Sequence, residues 1–297
     1  MKQLLILSGK GGTGKTTIAS AFIKLSEAEA YADCDVDAPN LHLVDAWQEE
    51  PIKSDYYGLP VAVIDSALCT ECGLCKEYCR FNAISSLDGH KVKPYSCEGR
   101  GVCAFVCPVD AITMVPAVAG EKMLYLDDAR VFSTAQLKMG SGTSGLLVSE
   151  VKRQMKDSAG EDVPLAIIDG SPGIGCPVIA SISGVDMVLV VTEPSISGFS
   201  DMERIIDTAM KFGTKTAICI NKYDTNFEKA EKIEEFCKKE GLPFVGKIPF
   251  DSAVVKALNM GKNIVDIDCI SSKAVKELYQ KTMDLLFRED ENDSFDE

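Results

Sequence analysis

The chain has 297 residues, 46% of them hydrophobic, and a formal net charge of -14. That length allows one or two domains with a sizeable core, and the acidic balance excludes a broad nucleic-acid surface, which needs clustered lysine and arginine. Twelve cysteines raise the alternative of a secreted disulfide protein, but Met1-Lys2 leads directly into the apolar run LLILS, with no signal-peptide core, and no apolar run reaches a membrane span of roughly 18 residues. The expectation is a cytoplasmic chain in a reducing compartment, where closely spaced cysteines serve metal or redox chemistry.

Residues 3–8 read as a buried strand, followed by a glycine-rich loop and a helix over 15–26. A short strand near 29–33 ends in DCDVDAPN, and 41–60 reads as a connector of mixed character. From 63 to 116 the texture changes: this stretch holds seven of the twelve cysteines and almost no helical periodicity. Apolar runs then recur at 165–169, 186–194, 215–224 and 243–251, with helical patterns near 199–212, 226–240, 252–260 and 272–286. Short Val/Ile-rich runs alternating with helices predict a mostly parallel sheet covered on both faces. The terminal REDENDSFDE is polar and acidic and reads as a disordered tail.

The segment Gly9-Lys10-Gly11-Gly12-Thr13-Gly14-Lys15-Thr16 fits GxxxxGK[ST] between a predicted strand and a predicted helix. Its glycines let backbone N–H groups turn inward onto phosphate oxygens, and the helix N-terminus adds partial positive charge. Lys15 is placed to reach the β- and γ-phosphates, and the Thr16 hydroxyl to bind Mg²⁺.

Cys69-x2-Cys72-x2-Cys75-x3-Cys79 has the bacterial ferredoxin spacing, in which three thiolates wrap one cubane and the fourth serves the other. The second run is Cys97-x5-Cys103-x3-Cys107-Pro108, and CRFNAI and CPVDAI mark the same turn after each run. By this rule one cluster takes Cys69, Cys72, Cys75 and Cys107, a full set for [4Fe–4S]. The other takes Cys79, Cys97 and Cys103 and lacks a ligand at Arg100, whose guanidinium cannot bind iron. A [3Fe–4S] cluster, a [4Fe–4S] cluster with a water or other group on one iron, and an empty site all remain open, with three-cysteine ligation preferred. Zinc modules use two separated CxxC pairs, a poorer match. His90 reads as a surface-loop residue, and Cys219, Cys237 and Cys269 as packed thiols.

SGKGGTGKTT, with its extra lysine, resembles the deviant Walker A loop of the MinD/ParA/nitrogenase-iron-protein class. The resemblance implies that Lys10 crosses a nucleotide-sandwich dimer to the opposite nucleotide, and so implies an ATP-dependent homodimer. DCDVDAPN resembles the first switch of that class, with Asp35 positioning the attacking water and Asp37 the second choice. Asp169-Gly170-Ser171-Pro172-Gly173 resembles the second switch, where Asp169 holds the Mg²⁺ shell. Asn221-Lys222-Tyr223-Asp224 resembles the base-contacting loop, with a turn cap the alternative for Asp224, and Pro249 and Asp251 fall in the loop that closes over adenine. The implied catalytic set is Lys10, Lys15, Asp35, Asp37 and Asp169. The implied nucleotide contacts are Gly9, Gly11, Gly12, Thr13, Gly14, Lys15, Thr16, Thr17, Asn221, Pro249 and Asp251. Cys176 lies where the nitrogenase iron protein holds a cluster ligand, but the C-P-x-x-C pair of cluster-carrier ATPases is absent and it reads as a packed thiol.

The whole pattern is similar to MinD-superfamily P-loop ATPases with an inserted ferredoxin domain, in the CobQ/CobB/MinD/ParA group. The implied fold is α/β: a mostly parallel, doubly wound P-loop NTPase sheet over 1–62 and 117–287, an inserted small α+β ferredoxin-like iron–sulfur domain over 63–116, and the tail 288–297. The implied function is ATP binding and hydrolysis coupled to electron transfer or partner docking. An iron–sulfur carrier or assembly ATPase is the alternative. A MinD-like positioning role ranks lower, because the last helix lacks a basic, aromatic membrane face. Cobyrinic acid amidation lacks a glutaminase segment, since the only histidines are His42 and His90. The expected ligands and partners are ATP or ADP, Mg²⁺, iron–sulfur clusters, a second copy and a redox or iron–sulfur protein, with no nucleic acid and no membrane.

Overall fold

The computed structural model describes residues 1–43, 47 and 49–288. The first half contains β1 (Lys2–Leu7), α1 (Lys15–Ser26), β2 (Ala30–Asp33), β3 (Ile52–Tyr57), β4 (Val61–Ile64), α2 (Leu74–Glu77), β5 (Ile84–Ser85), β6 (Lys91–Val92), α3 (Val102–Phe105), β7 (Ile112–Val115), β8 (Val118–Leu126) and β9 (Val131–Leu137). The second contains α4 (Ser144–Ser158), β10 (Leu165–Asp169), α5 (Cys176–Ile182), β11 (Met187–Thr192), α6 (Ile196–Lys211), β12 (Lys215–Asn221), α7 (Phe227–Lys239), β13 (Phe244–Ile248), α8 (Ser252–Asn259) and α9 (Ile270–Phe287). Residues 289–297 of the expected acidic tail lie outside the described residues.

Nine strands form one sheet in the order β13-β12-β11-β1-β10-β2-β9-β8-β3. The pairs from β13 to β9 are parallel, and β8 and β3 close one edge antiparallel. Successive strand side chains point to opposite faces. In β1, Leu5 and Leu7 therefore join one core with α4, α5, α6 and α7, while Leu4 and Ile6 join the other with α1 and α9. Both faces are covered, which is why the central strands read as continuous apolar runs.

Of the antiparallel edge, β3 lies in the stretch read as a connector, and β8 lies where the sequence reading gave no element. In β3 Tyr56 is the one buried residue, so the strand carries no apolar alternation to detect. In β9 the buried Ser133 and Thr134 interrupt the apolar pattern. Between the ends of β3 and β8, residues 61–115 leave the sheet. They form two small antiparallel pairs, β4 with β7 and β5 with β6, around a separate core of Ala62, Cys75, Ile84 and Ile112. Its two one-turn helices, α2 and α3, each follow a left-handed glycine, Gly73 (φ 83°) and Gly101 (φ 73°). The duplication seen in the cysteine spacing is thus repeated in the backbone.

Candidate nucleotide site and cysteine centre

Parallel strands bring all their carboxyl ends to one edge, and in open α/β sheets ligands bind there, where strand order reverses. Here β1 lies between β10 and β11, and the loop after it is the glycine-rich segment. Around it stand the ends of β2 (Asp33), β10 (Asp169), β11 (Glu193), β12 (Asn221) and β13 (Pro249).

Lys15 opens α1 and its ammonium reaches Asp169 Oδ1 at 2.5 Å, with Lys15 6% and Asp169 0% exposed. Thr16 Oγ1 donates to the other oxygen, Asp169 Oδ2, at 2.7 Å. The two side chains expected at Mg²⁺ are therefore adjacent. Burial works to lower the Lys15 ammonium, but Asp169, with Asp33 and Asp35, more than offsets it and raises it. Gly14 precedes the helix at φ 90°, and a Cβ there would run into the Asn221 side-chain amide, which donates to Thr13 O at 2.7 Å. Glycine is required at position 14 by both the left-handed backbone and this close approach.

The loop after β2 is organised by Asp33, a residue the sequence reading passed over in favour of its neighbours. Asp33 Oδ1 accepts from the Asp35 amide at 2.9 Å, and Oδ2 accepts from Asn40 and Leu41 at 2.9 and 3.0 Å. Burial, then the neighbouring Asp169 carboxylate, push Asp33 up to about 7, against the pull of the backbone donors and Lys15. Asp35 is half-buried and is raised by burial, with Lys15 and Asp169 both acting on it, whereas Asp37 is exposed. Of the two candidates, the fold turns Asp35 toward the phosphate loop. Asp33→Asn puts an amide where a carboxylate oxygen accepts backbone N–H groups. It is expected to destabilise the fold by about 1–3 kcal/mol in urea denaturation and to slow ATP turnover by disordering the Asp35 loop. Unchanged turnover would remove Asp33 from this role.

The two segments that resemble the switches touch directly. Cys34 N donates to Asp169 O at 2.8 Å, and Ser171 Oγ donates to Cys34 O. Lys10 pairs with Glu193 Oε2 at 3.1 Å, and Lys222 pairs with Glu193 Oε1 at 2.6 Å and Gly12 O at 2.9 Å. Burial would raise Glu193, but hydrogen bonds from Lys222 and Lys10 outweigh it and lower its carboxyl. Glu193 is a second residue the sequence reading missed. Its signal is a charged residue, followed by proline, at the end of the apolar run MVLVVT.

Beside the loop lies a cavity of about 190 Å³ lined by Gly12, Thr17, Asn221, Pro249, Phe250 and Val254, among others. Asp224 Oδ1 accepts from Phe250 N at 2.7 Å, so its carboxylate anchors the 249–251 loop. Asp251 lines the cavity, but its carboxylate caps α8 through Ala253 N at 2.9 Å.

In the cysteine unit, Cys79, Cys97 and Cys103 line one cavity of about 350 Å³ together with Phe81 and Arg100. Burial raises the Cys103 thiol, with Cys97 and Cys79 also acting on it. Burial likewise raises Cys75, with Cys69, Cys72 and Cys103 acting on it. Ala83 N donates to Cys79 Sγ at 3.4 Å and Ala111 N to Cys107 Sγ at 3.3 Å, at matching places in the two half-repeats. Ala62 N donates to Cys97 Sγ at 3.5 Å. Such N–H···S bonds favour anionic sulfur. Among the described residues, no three His, Cys, Asp or Glu side chains converge on the position of a single metal ion. A cubane differs in this respect, because each thiolate serves a different iron. Of the scattered cysteines, Cys219 and Cys237 are buried, Cys269 caps α9 through Ser272 N at 3.3 Å, and Cys176 is exposed at the start of α5.

Residues 4–264 match the family model of the CobQ/CobB/MinD/ParA nucleotide binding domain. The chain is similar to an uncharacterized protein of Methanocaldococcus jannaschii, 32% identical over 292 residues, 96% of this chain and 97% of that one. It is 23% identical over 304 residues to a protein of Pyrococcus horikoshii named iron-sulfur cluster carrier protein, covering 96% of this chain and 86% of that one. Among solved structures, the cell division ATPase MinD of Pyrococcus furiosus superposes with a TM-score of 0.57 at 19% identity, over 96% of this chain and 99% of that one. At that identity the likeness is one of fold. Among the described residues, no helix is long and apolar enough to cross a membrane.

Proposed function

Since the chain belongs to the CobQ/CobB/MinD/ParA nucleotide-binding family, we propose that it binds and hydrolyses Mg-ATP at loop 9–16 and couples that cycle to iron–sulfur clusters held by residues 63–116. The observation that carries the nucleotide half is the Lys15–Asp169–Thr16 contact, which sets the phosphate-loop lysine, the Mg²⁺-binding hydroxyl and the second-switch carboxylate against one another. In this reading the loop amides and Lys15 hold the phosphates, Thr16 and Asp169 hold Mg²⁺, and Asp35 orients the attacking water. Asn221 and the 249–251 loop enclose the base. Cys34 and Ser171 join the two switch loops, so γ-phosphate sensed at one is felt at the other.

Lys10 is the residue of the second copy in this scheme. In the dimer it exchanges Glu193 for the opposite nucleotide. Lys10→Ala is expected to retain ATP binding, and to lose both the ATP-dependent shift to a dimer in size-exclusion chromatography and most of the turnover. A variant that still dimerises with ATP would dismiss that role.

For the cysteine unit, the support is the thiol grouping with its backbone N–H···S bonds and the repeated left-handed glycines. Cys69, Cys72, Cys75 and Cys107 form the four-thiol set, and Cys79, Cys97 and Cys103 the three-thiol set. When bound, such clusters supply one-electron transfer. The chain's part is to set thiolate charge, hydrogen bonding and exposure. A carrier reading is favoured by relatives named iron-sulfur cluster carrier protein. Anaerobic EPR of reconstituted protein, before and after dithionite and with and without Mg-ATP, separates the two. A chelator-resistant signal that changes with nucleotide supports coupling, and cluster loss to an apo-ferredoxin supports the carrier. Stoichiometric zinc with no cluster signal would end the iron–sulfur proposal and leave the ATPase one standing.

A further inference from the structure

We infer that the loop 138–143 carries nucleotide state to the three-thiol group; this rests on the reading above that the chain couples an ATP cycle to clusters. The loop joins β9 to α4, and each of its ends is tied to a segment read as a switch. At its start, Leu137 N donates to Val36 O at 2.8 Å and Gln136 Nε2 to Asp37 O at 3.1 Å, so the end of β9 is bonded to the loop after β2. At its other end Gly145, in the first turn of α4, lies against Cys176, which opens α5 just after the 169–173 segment. A Cβ at Gly145 would stand 3.1 Å from Cys176 O and 3.2 Å from its Cβ. Thr143 O fixes that end further, accepting from Tyr56 Oη at 3.3 Å and from Leu147 N at 3.1 Å.

Between those ends the loop lies against the cysteine unit. Gly140 is left-handed (φ 80°) and faces Tyr95, itself left-handed (φ 59°). A Cβ at Gly140 would stand 3.1 Å from Tyr95 Cβ and 3.3 Å from Tyr95 O, and one at Gly142 would stand 2.7 Å from Glu98 Oε2. Tyr95 and Glu98 flank Cys97, whose sulfur accepts from Ala62 N at 3.5 Å. A cavity of about 190 Å³ separates the loop from this turn, lined by Leu59, Tyr95, Cys97, Ala119, Met139 and Thr143, among others. Cys97 is the one proposed ligand, among the described residues, that lines it. The loop therefore meets the cysteine unit at a few close points beside an unfilled gap, and loosely packed elements of this kind are the ones that move. Coupling runs through contiguous contacts when one element has two arrangements. With γ-phosphate sensed at both of its ends, the loop shifts against Tyr95 and Glu98. That shift changes the N–H···S bond at Cys97 and the exposure of the thiols, two quantities that set the potential of a cluster.

The test uses full-length reconstituted protein under anaerobic conditions, with and without Mg-ATP. In the wild-type chain, amide hydrogen exchange read by mass spectrometry is expected to change with Mg-ATP in peptides spanning 138–145 and 94–99 together. Gly140→Ala drives a Cβ into Tyr95. It is expected to keep the iron and sulfide content and ATP binding, and to lose most of the Mg-ATP-dependent change in the EPR line shape. Gly145→Ala, which sets a Cβ against the Cys176 backbone, is expected to do the same from the opposite end. Wild-type exchange at 138–145 that ignores Mg-ATP, while the EPR signal responds to it, overturns this inference alone. So does a Gly140→Ala chain whose EPR response equals wild type. Should a glycine variant fail to load iron, the wild-type exchange measurement decides. A wild-type EPR signal indifferent to Mg-ATP overturns the coupling reading and this inference with it.

Discussion

Replacing Lys15 with methionine is expected to abolish ATP binding and also to destabilise the fold by about 3–5 kcal/mol. The first effect follows from the phosphate contacts proposed for the lysine. The second follows from burial. Asp169 is fully buried at the end of β10, and its carboxylate is matched by the Lys15 ammonium at 2.5 Å and the Thr16 hydroxyl at 2.7 Å. Removing the cation leaves a buried charge with one hydroxyl donor and with Asp33 and Asp35 close by. The pair matters as a pair. Adding Asp169→Leu to Lys15→Met is expected to recover much of the lost stability while ATP binding stays absent. Urea denaturation read by circular dichroism and calorimetric ATP titration check both halves. If the double variant is as unstable as the single one, the loss lies in loop packing and not in the ion pair. Because the Lys15 ammonium is raised above the ordinary lysine value, the stability it contributes is fully present below that ordinary value and is lost as pH climbs past the folded-state value.

Cys75→Ser is expected to remove about four irons per reconstituted chain and to leave ATP binding unchanged. Cys75 is the buried thiol at the centre of the small core that also contains Ala62, Ile84 and Ile112. The two cores against the nine-stranded sheet contain none of these residues. A change there should therefore stay on its own side of the β3 and β8 edge. Iron and sulfide analysis beside ATP titration separates the outcomes. Unchanged iron would exclude Cys75 as a ligand, and a parallel loss of ATP binding would mean that the two units depend on each other for folding.

By itself, the sequence determined those parts in which a local pattern is sufficient for its structure. Lys15–Ser26 is helical with the bounds read from the sequence, because the left-handed Gly14 of the glycine-rich loop sets its start. The central strands were legible because burial on both faces leaves no room for polar residues. The cysteine grouping was legible because close spacing along the chain is itself a geometric constraint. The tertiary structure decided what depends on neighbours far away in the chain. Strand β3 is a strand because β8 supplies its hydrogen bonds, since its own side chains are mostly exposed. Asp33 differs from Asp35 and Asp37 only by standing at the buried end of β2, where backbone amides from residues 35, 40 and 41 fold back onto it. Glu193 becomes the partner of Lys10 and Lys222 only because β11 and β12 end beside the loop after β1. Asp224 and Asp251 read as candidate nucleotide contacts, but the folded chain gives both carboxylates to backbone amides. In each case the residue type was visible and its role was not, because charge and hydrogen bonding are set by distances that only the folded sheet establishes.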